Sequence, residues 1–260
     1  MKIINFAERG MEIINIVKEK KRKREHPPRS CILVTKENVP FNYREAYKSL
    51  RTNIKFIAST EKASSFVITS SAQMESKSNV SINLAITLAE EKKRVILLDC
   101  DLRKPTIHRY LKINTHGKGI TNALMEECPV RDVIHHVEEL DIDVLPVGAV
   151  PPNPTELLSS QRMKEILQEL KNSYDYVIID TPPVSHVTDA AIIGGMVDGV
   201  LLVVRSDCAP VEMIQFAIGK LESVNVKIFG IILSRFDAEK AGGQSGYYYS
   251  YKNYYYSYDR

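Results

Sequence analysis

From Ser65 to Leu233 short, continuous apolar runs alternate with helical patterns, and this alternation constrains the fold more than any other feature of the chain. Runs of Val, Ile and Leu without polar interruption suit strands buried on both faces, as in a parallel sheet covered by crossover helices. The strand candidates are Ser65 to Thr69, Val95 to Asp99, Ile142 to Val147, Tyr176 to Asp180, Gly199 to Arg205 and Ile228 to Leu233. Helices are expected at Lys77 to Glu91, Gln161 to Leu170, Ala190 to Met196 and Val211 to Val224. The predicted architecture is α/β, a mostly parallel central sheet with helices on both faces. Such sheets hold ligands beyond the carboxyl ends of their strands, so the residues that follow each strand are the candidate site.

Ser65 to Leu88 reads strand, loop, helix, with the loop Ser70-Ser-Ala-Gln-Met-Glu-Ser-Lys-Ser-Asn79. A phosphate-binding loop has the pattern GxxxxGK[ST], whose backbone N–H groups and lysine surround phosphates while the hydroxyl binds Mg²⁺. Lys77 and Ser78 stand in the right place, but Ser71 and Ser76 replace both glycines. A serine forced into glycine geometry costs about 1–3 kcal/mol, enough to weaken a nucleotide complex tenfold or more. Alone, this is a weak match, and a Lys-Ser pair at a helix start is usually only a solvated N-terminus. Val95-Ile-Leu-Leu-Asp-Cys-Asp101 and Tyr176-Val-Ile-Ile-Asp180 end two further strands in carboxylates. Three aspartates meeting a lysine-serine pair at one sheet edge suggest a divalent metal on nucleotide phosphates.

The 260 residues predict one large domain with appendages. With 44% apolar and 26% charged residues, the chain is neither wholly disordered nor collagen-like, and it has no membrane-spanning apolar run. The net charge of +3 hides an asymmetry, since Met1 to Arg24 carries eight basic and three acidic residues. The basic character thus belongs to an N-terminal arm, and no nucleic-acid partner is expected. Cys31, Cys100, Cys128 and Cys208 show neither disulfide nor zinc spacing, which predicts reduced thiols in a cytosolic protein. The arm is not a signal peptide, because its charges follow its apolar residues.

Ile3, Ala7, Met11, Ile14 and Val17 form a helical stripe that ends in the basic run Lys18 to Arg24. Such a helix either packs on its own domain or docks on an anionic membrane surface or a membrane partner's cytoplasmic tail. Pro27-Pro28 marks a linker. At the other end Gly242, Gly243 and Gly246 precede a segment in which eight of the last fourteen residues are Tyr, read as a disordered tail. The division predicted is therefore arm and linker 1–28, domain 29–236 and tail 237–260.

Asp99-Cys-Asp-Leu-Arg-Lys-Pro105, Gly148 followed by Pro151-Pro-Asn-Pro-Thr-Glu-Leu-Leu158, Asp180-Thr-Pro-Pro183 and the tyrosine-rich C-terminus together resemble the bacterial tyrosine kinases of capsule and exopolysaccharide synthesis. The resemblance runs from about Ser30 to the end. In that family, which shares ancestry with the MinD and ParA type ATPases, a P-loop NTPase-like domain phosphorylates its own C-terminal tyrosines. The resemblance implies ATP and Mg²⁺ as cofactors and Lys77, Asp99 and Asp101 as the catalytic residues. Lys77 would meet the β- and γ-phosphates, with Ser76, Ser78 and Asn79 beside it and Ser234 and Arg235 near the adenine. Ser78, Asp99 and Asp180 would surround Mg²⁺. The implied acceptors are Tyr247, Tyr248, Tyr249, Tyr251, Tyr254, Tyr255, Tyr256 and Tyr258. A tyrosine hydroxyl with a pKa near 10 is protonated at neutral pH, so Asp101 would orient it and accept its proton.

The helix Tyr43 to Ile57 sets Ala46, Leu50, Ile54 and Ile57 on one face and Glu45, Lys48 and Arg51 on another. The charged face is either merely solvated or, as the resemblance implies, joins subunits into a ring, weakened because Lys48 lacks the bidentate fork of an arginine. The resemblance also implies a membrane-embedded chain-length regulator as activator, a cognate tyrosine phosphatase, and a cytoplasmic location at the inner face of the membrane. Ala72 occupies the position where MinD type ATPases carry an additional lysine, and Ser234 falls where the family usually has asparagine. Three readings stay open: an active autokinase, a scaffolding pseudokinase, and a MinD or ParA-like ATPase.

Overall fold

The computed structural model describes residues 3–4, 31–206 and 208–236. Its sheet has eight strands: β1 (Ile3–Ile4), β2 (Ser65–Ser70), β3 (Val95–Asp99), β4 (His135–Val137), β5 (Ile142–Leu145), β6 (Tyr176–Asp180), β7 (Gly199–Arg205) and β8 (Ile228–Ser234), in the order β1-β8-β7-β2-β6-β3-β5-β4. The six strands from β8 to β5 are parallel, while β1 and β4 close the edges antiparallel. The helices are α1 (Phe41–Glu61), α2 (Lys77–Ala89), α3 (Ile107–Tyr110), α4 (Ile120–Leu124), α5 (Pro154–Ser159), α6 (Gln161–Ser173), α7 (Asp189–Gly194) and α8 (Val211–Glu222).

The apolar runs split by alternation between two cores. Phe66, Ile68, Leu97 and Ile178 pack with Tyr47, Leu50 and Ile54 of α1 and Ile82 and Ile86 of α2. Val67, Ile96, Leu98 and Ile179 pack on the other face with Ile166 and Leu170 of α6 and Ile214 and Leu221 of α8. At about 1.5–3 kcal/mol for each fully buried aliphatic or Phe side chain, these layers hold the sheet between its helices. Residues Val80 to Ala89 of α2 are buried all round, between α1 and the sheet. Asn83 is satisfied there, accepting from Val34 N at 2.7 Å and donating to Ile32 O at 2.8 Å.

Two features depart from expectation. Ile3, placed by periodicity at the start of a helical stripe, instead pairs together with Ile4 against Ile232 and Ile231 of β8, where an open sheet edge offers unpaired backbone groups. The rest of the N-terminal stripe and the basic run lie outside the described residues. β5 stops at Leu145, short of Val147, because Pro146 has no N–H for a ladder. The carbonyls of Pro146 and Val147 turn instead to Ile120 N and Thr121 N at the start of α4. Gly148 meets Gly119 at this crossing: its φ is +80°, and a Cβ there would lie 2.6 Å from Gly119 N. Only glycine fits both requirements. Among the described residues no helix is long and apolar enough to cross a membrane.

Candidate active site

β2, β6 and β3 are adjacent, so the loop after β2 and the aspartates that end β6 and β3 emerge side by side. Register places Asp99 opposite Asp180. The loop turns back into α2, whose first residue is Lys77. Lys77 Nζ lies 3.1 Å from Asp180 Oδ2, 3.2 Å from Asp101 Oδ2 and 3.3 Å from Ser78 Oγ. Ser78 Oγ donates to Asp180 Oδ2 at 2.6 Å, and Ser81 Oγ donates to Asp180 Oδ1 at 3.0 Å. The first-turn N–H groups of α2 have no intrahelical partner and form, with the helix dipole, an anion-binding end.

One ammonium thus faces three carboxylates. Burial pushes Asp99 up to about 7, and Asp180 beside it adds to the shift while Lys77 opposes it. Burial also raises Asp180, against the pull of Lys77 and Ser78. Burial alone would lower Lys77, but Asp180, Asp101 and Asp99 more than offset that and hold it charged. This surplus of buried negative charge is what a cation-assisted phosphate site needs.

Among the described residues no group of three or more His, Cys, Asp or Glu side chains has the arrangement of a complete metal site. Magnesium does not require one, because it is held by one or two carboxylates, waters and substrate phosphates. The hard oxygens of Ser78 and Asp180 suit it. Asp99 is engaged differently from expectation: Oδ1 accepts from Asp101 N at 3.2 Å, and Oδ2 accepts from Thr106 N and Ile107 N at 3.1 Å.

The loop itself corrects one expectation. Ser76 does occupy the left-handed region, with φ 71°, but Ser71 does not; the second such residue is Met74, with φ 65°. For an L-residue each such position costs about 1–2 kcal/mol. The side chain of Asn79 is directed to α1. It accepts from Tyr43 and Tyr47 hydroxyls at 2.8 and 3.1 Å and donates to Ile32 O at 3.1 Å, tying α2 to α1. Ser234, at the end of β8, donates from Oγ to Glu75 O at 2.8 Å, and Arg235 follows it with φ 53°.

On α1, Lys48 pairs with Glu45 at 2.8 Å. Arg51 points inward, donating from Nη1 to Thr87 O at 2.7 Å and Glu90 Oε2 at 2.9 Å. Within this chain, therefore, Arg51 braces α1 against α2. The tail tyrosines from Tyr247 to Tyr258 lie outside the described residues.

Sequence reasoning missed Ser81, Thr106, Asp189 and Glu75. Ser81 was findable, since i+4 from Lys77 shares its helix face. Asp189, fully buried, accepts from Arg103 Nε at 3.0 Å and Thr155 Oγ1 at 2.8 Å. That network joins the Asp99–Pro105 and Pro151–Leu158 segments behind the carboxylates and gives a physical reason for their occurring together.

A mostly parallel sheet whose first strand–helix loop brings Lys-Ser to strand-end aspartates defines a nucleotide-binding P-loop domain. The AAA domain family matches residues 75–226. Tyrosine-protein kinase YwqD of Bacillus subtilis is 38% identical over 204 residues, covering 78% of this chain and 85% of that protein. The kinase domain of Escherichia coli tyrosine kinase ETK superposes with TM-score 0.76 and 29% identity, covering 91% of this chain and 89% of that one. The chimerical protein CapA2B2 superposes with TM-score 0.72 and 32% identity, over 78% of this chain and 88% of that one. The chain belongs to the bacterial tyrosine-protein kinase family.

Proposed function

We propose that this chain is an ATP-dependent tyrosine autokinase of capsular or exopolysaccharide synthesis, transferring the γ-phosphate to tyrosines between Tyr247 and Tyr258. The observation that carries the reading is the convergence of Lys77, Ser78, Asp101 and Asp180 within 3.3 Å of one another through Lys77 Nζ and Ser78 Oγ. In this reading residues 29–236 form the kinase domain, joined to the arm and the tail.

Lys77 exchanges its carboxylate partners for the β- and γ-phosphate oxygens, while the N–H groups opening α2 receive the remaining phosphate charge. Ser78 and Asp180 hold Mg²⁺, which when bound offsets charge on the transferred group. Asp99 keeps the segment Asp101–Ile107 in place through its backbone acceptor role. Asp101, the least enclosed of the three aspartates, takes the proton of the incoming tyrosine hydroxyl. Ser234 and Arg235 border the base. A membrane-embedded chain-length regulator as activator, a ring of copies joined through Glu45, Lys48 and Arg51, and removal of phosphate by a cognate tyrosine phosphatase complete the proposal. It places the chain in the cytoplasm at the inner face of the membrane.

Purified full-length protein incubated with Mg-ATP is expected to gain phosphotyrosine, and Lys77→Met to remain blank. Wild type that binds Mg-ATP in calorimetry yet gains no phosphotyrosine, alone or with a catalytically competent relative, refutes autokinase activity. One observation favours a second reading, a scaffolding pseudokinase: two non-glycine residues hold left-handed geometry in the loop. Absence of Mg-ATP binding would decide for it.

A further inference from the structure

The loop that should receive phosphate contains its own buried acid. Glu75, 1% exposed, lies between Met74 and Ser76, the two left-handed residues. Its side chain folds back across the turn. Oε2 accepts from Ala72 N at 2.7 Å and from Ser71 Oγ at 2.9 Å, while Oε1 accepts from the same hydroxyl at 3.0 Å and from Arg205 N at 3.3 Å. Its backbone carbonyl accepts from Ser234 Oγ at 2.8 Å. One residue thereby links the start of the loop, the end of β7 and the end of β8. Burial raises the acid's pKa, and the donors from Ala72, Ser71 and Arg205 pull it back, as expected of a carboxylate held by built-in partners.

Backbone strain of this kind persists only where the surroundings over-determine it. Glycine would reach the same φ unaided. The hydrogen bonds to Glu75 come from two groups within the strained turn and two at the ends of β7 and β8, and they fix the turn's shape, so that the N–H groups opening α2 face outward. We propose that Glu75 is the positioning residue of the phosphate loop, its carboxylate holding Met74 and Ser76 in left-handed geometry and so setting nucleotide affinity without touching the transferred group. Ser234 belongs to the same brace. The inference rests on reading the loop as a nucleotide site.

Two measurements separate failure of the brace from failure of that reading. Hydrogen exchange on the nucleotide-free protein reads the brace directly: the amides of Ala72 and Arg205 should be protected in wild type and exchange at least about tenfold faster in Glu75→Ala, with the core amides of β6 unchanged. Calorimetry reads the consequence: Glu75→Ala should bind Mg-ATP at least about tenfold more weakly, a change of about 1.4 kcal/mol. Phosphotyrosine formation should then show a raised KM for ATP and an unchanged kcat. Glu75→Gln, which keeps an acceptor for Ala72 N, should stay within about threefold of wild type. Met74→Gly with Ser76→Gly in the Glu75→Ala background should restore affinity, because glycine needs no brace. Unchanged exchange in Glu75→Ala overturns the inference, as does a folded Glu75→Ala chain that the two glycines fail to rescue. Faster exchange in Glu75→Ala, together with a wild type that binds no Mg-ATP, leaves the brace standing and removes the nucleotide reading.

Discussion

At the amino edge of the sheet Asp198 accepts from Ser64 N at 2.8 Å, Ser65 N at 2.9 Å and Ser65 Oγ at 2.8 Å, and Lys171 Nζ sits 2.7 Å away. At the carboxyl edge of the same strands three aspartates share Lys77. Burial works against charge in both places. Around Asp198 the bonds from Lys171, Ser64 and Ser65 overcome it and hold the pKa down at about 2. Around Asp99 the neighbouring carboxylates reinforce burial, and the pKa stands at about 7. The first edge is complete as folded and serves stability; the second carries charge that only a ligand can balance, which is how functional sites trade against stability.

Removing one group from each edge tests that contrast. The largest effect is expected from Asp101→Asn, which should lower phosphotyrosine formation by about 10²–10⁴-fold, the usual contribution of a general base. Its Tm should stay within about 2 °C of wild type, since one of three like charges has gone. A collapse of Tm in thermal scanning would break the comparison by making Asp101 structural. Next comes Asp198→Ala, which strands two backbone donors and Lys171. A loss of about 2–3 kcal/mol follows, discounted for the partial exposure of the pair. It should appear as a Tm lower by about 4–12 °C, with KM for ATP unchanged below the new transition. A shifted KM would mean that the two edges are coupled.

The smallest effect is a difference in pH dependence. The folded pKa of Asp198 lies below the ordinary carboxylate value, so its stabilisation is fully present above about pH 4 and is lost as pH falls toward 2. Asp99 is raised, so the unfolded chain loses that proton first, and stability falls as pH climbs from about 4 to about 7. Tm measured against pH should therefore decline less for Asp99→Asn than for wild type between pH 4 and 7. For Asp198→Asn it should decline less below pH 4. Curves parallel to wild type in both windows would remove the distinction.

The central strands were legible because β2, β3 and β6 are continuous apolar runs that end in polar residues, a pattern carried by the residues themselves. β4, His135-His-Val137, has neither length nor alternation, and β1 exists only through pairing with β8, so neither edge strand left a local signal. In the site, Lys77, Ser78 and the aspartates could be found from position after strands. The orientation of Asn79 could not, because Tyr43 and Tyr47 decide it from another helix. Counting along the phosphate-loop pattern pointed to Ser71 as strained. The turn is instead bent at Met74, where the carboxylate of Glu75 folds back, and only tertiary hydrogen bonds reveal that.

The pairing of Lys77 with Asp101 and Asp180 has a consequence for the energetics of loading. An open lysine would carry a mobile anion from solution and release it on meeting phosphate, giving affinity a steep dependence on salt. Here the counter-ion is part of the fold. In the proposed reaction Lys77 would change anionic partners while Asp180 would exchange the ammonium for Mg²⁺, a metathesis between fixed and incoming ions that would free few ions to bulk. Mg-ATP affinity should accordingly vary little with ionic strength between about 50 and 200 mM salt, beyond ordinary screening. A steep titration would instead show Lys77 open to solvent before the nucleotide arrives.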